Sequence, residues 1–209
     1  GKFIEIADAT TTVYTDTVIT GWDRKVNAIK ETYTDPNDVT QAYAIGKAYD
    51  GGQFSELNCQ AYGALYQDVL TVPGATLNWS LAHAGRDGTD TMALLIAPVD
   101  VAQDITDALK NKTTRAAIQE ALNGSITVNG VNVPIRNYIV DGNISDGCTA
   151  WGVHNGTYTV PAGQYVSRFF FVAVASASGD SEEGLTRGNL IDRVWFSTDP
   201  VPPAAGSGG

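Results

Sequence analysis

The sequence lacks several features that mark particular classes of protein. Basic residues are scarce, because 13 lysines and arginines stand against 23 acidic residues and the net charge is -10. Such a charge repels phosphate backbones, so we expect no nucleic-acid partner. No apolar run approaches the roughly 18 residues of a membrane helix, so we expect no membrane insertion. The strongest run, Phe169 to Ala175, has the length of a β-strand.

Histidine and cysteine are also scarce, with two of each. These four residues are scattered without the spacing of zinc ligands, so the sequence contains no zinc pattern. Cys59 and Cys148 could form a disulfide only if the fold brings their Cα atoms within about 7 Å, which the sequence leaves open. No nucleophile elbow, phosphate-binding glycine loop or metal-binding helix is present. We therefore expect a protein that is not an enzyme and that needs no cofactor, with a glycosidase as a minor alternative because Asp and Glu are plentiful.

The chain instead contains a series of short β-like segments separated by turn residues. In one of them Leu77, Trp79, Leu81 and His83 share a face, which places Trp79 in the core. This pattern predicts an all-β fold. The predicted strands cover residues 10–19, 54–57, 64–69, 76–83, 91–97, 151–160, 166–175 and 190–196.

Residues 98–147 depart from the β pattern. Apolar residues at helical spacing predict two short helices there, the second of which ends at Gly124. Asn129-Gly130 suits the type I′ turn of a β-hairpin. We interpret the block as an insertion in one domain that covers residues 1–198. Residues 199–209, rich in proline, glycine and alanine, predict a flexible linker that tethers the domain to others.

Three stretches of the sequence resemble a known family. They run from Gly51 to Met92, from Trp151 to Val174 and from Gly188 to Phe196. Together they are similar to the galactose-binding-like jelly-roll modules in surface proteins of Gram-positive gut anaerobes. The resemblance implies an antiparallel, two-sheet jelly-roll sandwich, here with a small helical and hairpin insertion. It also implies a secreted, cell-surface protein used for attachment, commonly to glycans.

The acidic, tethered format also resembles the N-terminal domain of the starch-adherence proteins of ruminococcal amylosomes. That second resemblance implies an α-glucan ligand, such as starch or a maltooligosaccharide. We therefore expect a monomeric, non-catalytic carbohydrate-binding module of an extracellular bacterial protein, with a polysaccharide or oligosaccharide as its partner. The alternative is a structural or adhesive surface domain that binds a protein or a host glycan.

Candidate ligand-binding residues are aromatic, because sugar recognition uses a flat ring against the C–H face of a pyranose and rigid polar groups for its hydroxyls. Trp22 and Trp151 lie where strands meet loops, and Trp195 alternates outward on the last strand. Each ring could equally seal an end of the sandwich. Tyr49 and Tyr62 are secondary candidates for stacking, or they fill the surface.

Polar candidates lie on the turn after the strand at residues 76–83. Arg86 and Asp87 could bind sugar hydroxyls, or an arginine–carboxylate pair could pin the turn. In the resembled family His83 and Arg86 occupy shared positions, which favours the structural role.

Asp141, Asn143, Ser145 and Asp146 alternate oxygen ligands, so this segment could hold a structural calcium ion. It lacks the turn glycine and the bidentate glutamate of a calcium loop.

Overall fold

The structure is a computed structural model that describes residues 2–6, 18–20, 45, 48–50, 54–58, 61–179 and 187–203. Within these residues it contains two antiparallel sheets of six and four strands, one two-stranded hairpin and two α-helices. The predicted antiparallel two-sheet sandwich is therefore confirmed. The elements are β1 (Lys2–Ile6), β2 (Val18–Thr20), β3 (Ser55–Glu56), β4 (Ala64–Leu70), β5 (Thr76–Ala84), β6 (Asp90–Pro98), α1 (Val99–Leu109), α2 (Arg115–Asn123), β7 (Ser125–Val128), β8 (Val131–Pro134), β9 (Ile139–Asp146), β10 (Gly152–Thr159), β11 (Val166–Ala175) and β12 (Leu190–Ser197).

Strands β3 to β6 and strands β9 to β12 alternate between the two sheets. The six-stranded sheet has the order β2-β1-β4-β11-β6-β9, and the four-stranded sheet has the order β10-β5-β12-β3. The chain therefore crosses the sandwich from β4 to β5, from β5 to β6, and again at each step from β9 to β12. This winding of antiparallel strands around two layers is the jelly-roll arrangement.

The core lies between the sheets and continues under the helices. Phe169, Phe170 and Phe171 of β11 are each 0% exposed. The Phe169 ring lies 3.9 Å, centroid to centroid, from Phe196 of the facing sheet. Because α1 and α2 pack on the other side of the six-stranded sheet, β11 is buried on both faces, which explains its continuous apolar sequence.

Trp79 is 4% exposed, as its place in the alternating pattern predicted. Its indole lies over Gly156 of the neighbouring strand β10, where a Cβ atom would come within 2.9 Å of the ring. A glycine at this position is what allows the indole to lie flat against the sheet.

The predicted insertion at residues 98–147 contains helices, a hairpin and one strand of the main sheet. Residues 99–138 form α1, α2, the β7–β8 hairpin and a short 3-10 helix, Ile135–Tyr138. The hairpin turn has positive φ at both Asn129 (50°) and Gly130 (79°), as a type I′ turn requires. Ile139–Asp146 is β9, which pairs with β6 at the edge of the six-stranded sheet. Residues 139–146 of the predicted insertion therefore belong to the six-stranded sheet, and the bounds of the insertion stay a prediction.

The first part of the predicted linker contacts the sandwich. The side-chain amide of Asn78 donates to the carbonyl of Asp199 over 3.0 Å. The guanidinium of Arg193 donates to the carbonyls of Pro202 and Pro203. Residues 204–209 lie outside the described part, and the extent of the domain over residues 1–198 stays a prediction.

Neither α1 nor α2 is long and apolar enough to span a bilayer, and the described residues contain no helix that is.

Candidate functional site

The two ends of the sandwich differ in composition. Strand β9 begins at Ile139 at one end and finishes at Asp146 at the other, and β10 runs between the same ends from His154 towards Tyr158. We call the end with Tyr158 the cleft end and the end with His154 the histidine end. Each end contains one group of side chains that could bind a ligand or an ion.

The cleft end contains a cavity of about 650 Å³. Its volume lies within the range of about 300–1,000 Å³ that is typical of small-molecule sites. We call it the tyrosine cleft. It is lined by Ile96, Pro98, Asp100, Asn137, Tyr138, Ile139, Val140, Tyr158, Pro161, Ala162, Gly163 and Gln164.

Two different elements supply the tyrosines. Tyr138 is the last residue of the 3-10 helix, and Tyr158 lies near the end of β10. The Tyr158 hydroxyl is 3.2 Å from Oε1 and 3.1 Å from Nε2 of Gln164, and that Nε2 donates to Ser167 over 2.6 Å. Gln164 is only 4% exposed. The Tyr158 ring is therefore held in place by a buried amide, while both tyrosines remain partly exposed.

The cleft presents neutral phenols. Burial raises the pKa of Tyr138 above the usual phenol value. Burial also raises the pKa of Tyr158, against a lowering by the Gln164 hydrogen bond and with a further increase from Tyr138. Asp100 is the one carboxylate among the described lining residues, whereas glycosidases commonly use two. The arrangement suits stacking and hydrogen bonding to a neutral, hydroxyl-rich ligand.

Trp151, Trp195 and Tyr49 are not among the residues that line this cleft. Trp151 is partly exposed, and the rings of Phe54 and Tyr49 contact it edge to face at centroid distances of 5.6 Å and 6.5 Å. Trp195, also partly exposed, pairs with Ser80 on the outer face of the four-stranded sheet. Trp22 lies outside the described residues. A ligand role for these rings stays a prediction.

The outer face near Tyr49 is partly covered. Asp192 is 3% exposed, and its carboxylate accepts hydrogen bonds from the backbone N–H groups of Tyr49 at 2.8 Å and Asp50 at 3.0 Å. Burial raises the pKa of Asp192, although these backbone donors lower it. The segment with Tyr49 is therefore fixed to the sheet through this carboxylate.

The structure corrects two predicted ligand contacts. Tyr62 is 1% exposed, and its hydroxyl accepts from the backbone N–H of Ser176 over 2.8 Å, so it is a core residue. Arg86 is 6% exposed and donates to both carboxylate oxygens of Glu56, at 3.0 Å and 2.9 Å. Its partner is thus Glu56 and not the neighbouring Asp87. Asp87 is exposed, 3.7 Å from Arg187, and its ligand role stays a prediction.

The histidine end brings together both histidines of the sequence. His83 Nδ1 lies 2.8 Å from Asp146 Oδ2, and His154 Nε2 lies 2.7 Å from the same oxygen. We call these three residues the histidine cluster. The His83 side chain is 0% exposed, that of Asp146 17% and that of His154 25%. Hydrogen bonds from the two histidines lower the pKa of Asp146, although burial alone raises it.

The pairing of strands β5 and β10 builds this cluster. Their antiparallel register places Gly152 opposite His83, with His154 two residues further along the same face. A Cβ atom on Gly152 would lie 1.9 Å from Asp146 Oδ1, so the glycine leaves room for the carboxylate. The two histidines lack the sequence spacing of zinc ligands, so the sequence did not predict that they meet.

Several of the predicted calcium ligands form hydrogen bonds within the protein. The Asp141 carboxylate accepts from the backbone N–H of Asn143 over 3.0 Å, and Asp146 binds the histidines instead. Ser145 pairs with Thr91 at 3.0 Å. A calcium ion on this segment stays a prediction, and Asp146 also belongs to a group of histidine and carboxylate side chains that could hold a metal ion.

The tyrosines and His154 carried a partial signal in the sequence. His154, Gly156 and Tyr158 alternate on one face of a predicted strand, so a shared inward orientation could be predicted. Tyr138 and Asn137 come from the insertion, and their approach to Tyr158 had no sequence signal.

As for the cysteines, Cys148 is a free, partly exposed thiol, and Cys59 lies outside the described residues.

Comparisons with known proteins give structural neighbours only. No family model matches the sequence, and no curated protein matches it significantly. The CBM22-1 xylan-binding domain from Paenibacillus barcinonensis is 10% identical, with a TM-score of 0.41 over 73% of this chain and 76% of that one.

Two further neighbours are similarly distant. A CBM4 structure is 13% identical, with a TM-score of 0.35 over 66% of this chain and 62% of its own, which is less than two thirds. A family 35 carbohydrate binding module from Clostridium thermocellum is 12% identical, with a TM-score of 0.34 over 69% of this chain and 79% of that one. With all three scores below 0.5, these matches assign neither ligand nor reaction to this chain.

Proposed function

We propose that this domain binds carbohydrate without turning it over, and that the tyrosine cleft is its binding site. The observation that carries the proposal is the pair of partly exposed tyrosines, Tyr138 and Tyr158, in a cavity of about 650 Å³ that also holds amide and carboxylate groups. A pyranose has an apolar C–H face and a rim of hydroxyls, and the cleft offers partners for both.

The rim of the cleft supports the same function. Tyr165 follows the cleft residue Gln164 directly and is 68% exposed, so a large aromatic ring stands free beside the opening. Its backbone carbonyl accepts from Thr71 N–H over 2.9 Å, which fixes the main chain at this point. A ligand longer than one sugar could therefore contact Tyr165 after filling the cleft.

We propose further that the ligand is an α-glucan, as the resemblance of the sequence to starch-adherence proteins implies. Such binding should be modest. A few stacked rings and exposed hydrogen bonds give micromolar dissociation constants, or about 8 kcal/mol.

The test is affinity electrophoresis and calorimetry against soluble amylopectin, xylan, β-glucan and galactomannan. Tyr138→Ala should weaken binding at least tenfold, which corresponds to about 1.4 kcal/mol, because the variant removes one wall of the cleft. Trp195→Ala is the matched comparison, since it removes a ring of the outer face that the cleft does not use. Urea unfolding of each variant shows whether it retains its fold.

The possible outcomes test the location of the binding site and the identity of the ligand separately. Loss of binding in Trp195→Ala with normal binding in Tyr138→Ala would move the site to the outer face. Binding of a β-linked glycan but of no α-glucan would overturn the α-glucan assignment and leave the cleft as the binding site. Indifference to every polysaccharide would overturn carbohydrate binding and favour the adhesive alternative.

A further inference from the structure

We propose that the histidine cluster is a binding site for one divalent transition-metal ion of the zinc class, held by His83 Nδ1, His154 Nε2 and the carboxylate of Asp146. The three candidate ligand atoms lie within 4.8 Å of one another. Nothing in this proposal depends on the ligand of the tyrosine cleft, which lies at the other end of the sandwich.

The hydrogen bonds around His83 identify which ring nitrogen carries a proton. The side-chain Nδ2 of Asn189 donates to the backbone carbonyl of Ala175 and to Asn58 Oδ1, each over 3.0 Å. A backbone carbonyl can only accept, so the amide orientation of Asn189 is fixed and its Oδ1 points at His83 Nε2 over 3.1 Å. His83 Nε2 must therefore be the N–H donor.

A proton or a metal ion between His83 Nδ1 and Asp146 would satisfy both atoms. With Nε2 protonated, the neutral ring turns the lone pair of Nδ1 towards the carboxylate oxygen 2.8 Å away, and two acceptors do not attract each other. A metal ion at this point would be bound by both atoms. The metal ion would also replace the proton on His154 Nε2 that binds the same oxygen.

The surroundings resemble those of a metal-binding histidine. Histidines that bind metals usually donate their other ring N–H to a carbonyl or carboxylate oxygen, as His83 does to Asn189. Asn189 is itself 0% exposed, and its backbone N–H donates to Asp90 over 2.9 Å. The ring is thus oriented before any ion arrives.

The donor set selects the class of ion. Two imidazoles and one carboxylate suit zinc and neighbouring transition metals, whereas calcium prefers oxygen ligands. In a tetrahedral zinc site with bonds of 2.0–2.1 Å, ligand atoms lie about 3.3 Å apart, so both histidines would move away from Asp146 by roughly half an ångström. The partial exposure of His154 and Asp146 leaves a path for the ion and for a water ligand.

Bound zinc would link the two sheets. His83 and His154 belong to the four-stranded sheet, while Asp146 ends β9 of the six-stranded sheet. Because the ion binds the folded chain, a concentration one hundred times its dissociation constant should raise the melting temperature by about 5 to 10 °C.

The experiment uses the full, untagged chain and zinc sulfate alone. After dialysis against excess zinc and removal of free metal, we expect one zinc per chain by mass spectrometry and a higher melting temperature. Calcium chloride at the same concentration should change neither. Nitrogen-15 spectra of the histidine rings should show coordination at Nδ1 of His83 and at Nε2 of His154.

Variants keep the proposal open to refutation. His154→Gln retains an amide donor within reach of Asp146 but removes the ligand, so it should fold and lose both the zinc and the thermal shift. Asn155→Ala, on the opposite face of the same strand, and Cys148→Ser should keep both. Substoichiometric zinc in the wild type, zinc retained by His154→Gln, or zinc lost by Cys148→Ser would each overturn the assignment.

Discussion

The histidine end and the cleft end of the sandwich differ in how far the polar side chains named here are buried. At the histidine end Glu56 is 2% exposed, Asp90 1% and His83 0%, and each forms at least one hydrogen bond within the protein. At the cleft end Tyr165 is 68% exposed and Tyr158 partly exposed. Polar groups at the first end connect segments of the chain to one another, whereas those at the second are open to a ligand.

The segments that connect the strands at each end explain this difference. At the histidine end the segment before β12 packs against β3 and the start of β6: Gly188 N–H donates to Glu56 over 2.8 Å, and Asn189 N–H donates to Asp90 over 2.9 Å. Buried charges of this kind are retained only when they are paired. At the cleft end the 3-10 helix and the turn before β11 stay apart and leave a cavity. Stability should therefore depend more on the histidine end and ligand binding on the cleft end.

The largest effect is expected for Arg86→Met. Removing the guanidinium leaves the Glu56 carboxylate buried without its charged partner, which should lower the free energy of unfolding by about 3–5 kcal/mol. Urea unfolding followed by tryptophan fluorescence measures the change. Asp87→Ala is the adjacent control, and since its ion pair is exposed it should change the free energy by less than about 1 kcal/mol. Equal effects of the two variants would contradict the comparison.

An intermediate effect is expected for Gly152→Ala. The new Cβ would collide with the Asp146 carboxylate and force it away from the histidines, at a cost of about 1–3 kcal/mol in unfolding free energy. Gly147→Ala is matched to it, because a Cβ there meets nothing within 4 Å. If thermal melting does not distinguish the two alanine variants, the packing described for the histidine cluster is wrong.

The smallest effect is expected at the cleft end, for Tyr158→Phe. The change removes one hydrogen bond to Gln164, which keeps its contact with Ser167, so the loss of unfolding free energy should be about 0.5–1.5 kcal/mol. Tyr165→Ala, at an exposed position, should stay within about 0.5 kcal/mol of the wild type. A loss from Tyr158→Phe as large as that from Arg86→Met would remove the distinction between the two ends.

Much of the secondary structure followed from local sequence signals. The Asn129-Gly130 turn, the end of α2 at Gly124 and the alternation that buries Trp79 were all predictable, because each depends on residues close in the chain. The strand β9 was missed inside the predicted insertion. Its buried Ile144 is flanked by polar residues, a pattern that an edge strand shares with a loop.

The candidate site was the part least accessible to sequence reasoning. Tryptophans were favoured as sugar-stacking rings because of their positions at strand–loop junctions or on an outward strand face, whereas the structure places a cavity beside two tyrosines. Tyr62 was expected at the surface, but its hydroxyl finds a buried backbone partner and the ring enters the core. Exposure depends on which distant segments cover a residue, and a single strand does not encode that.

Local sequence signals were enough to predict most of the strands, both helices and the hairpin turn, since period and turn chemistry act over a few residues. The approach of His83 to His154 and of Tyr138 to Tyr158 depends instead on contacts between distant segments. In both cases the partners are separated by the winding of the chain between two sheets, and the register of antiparallel pairing sets their distance.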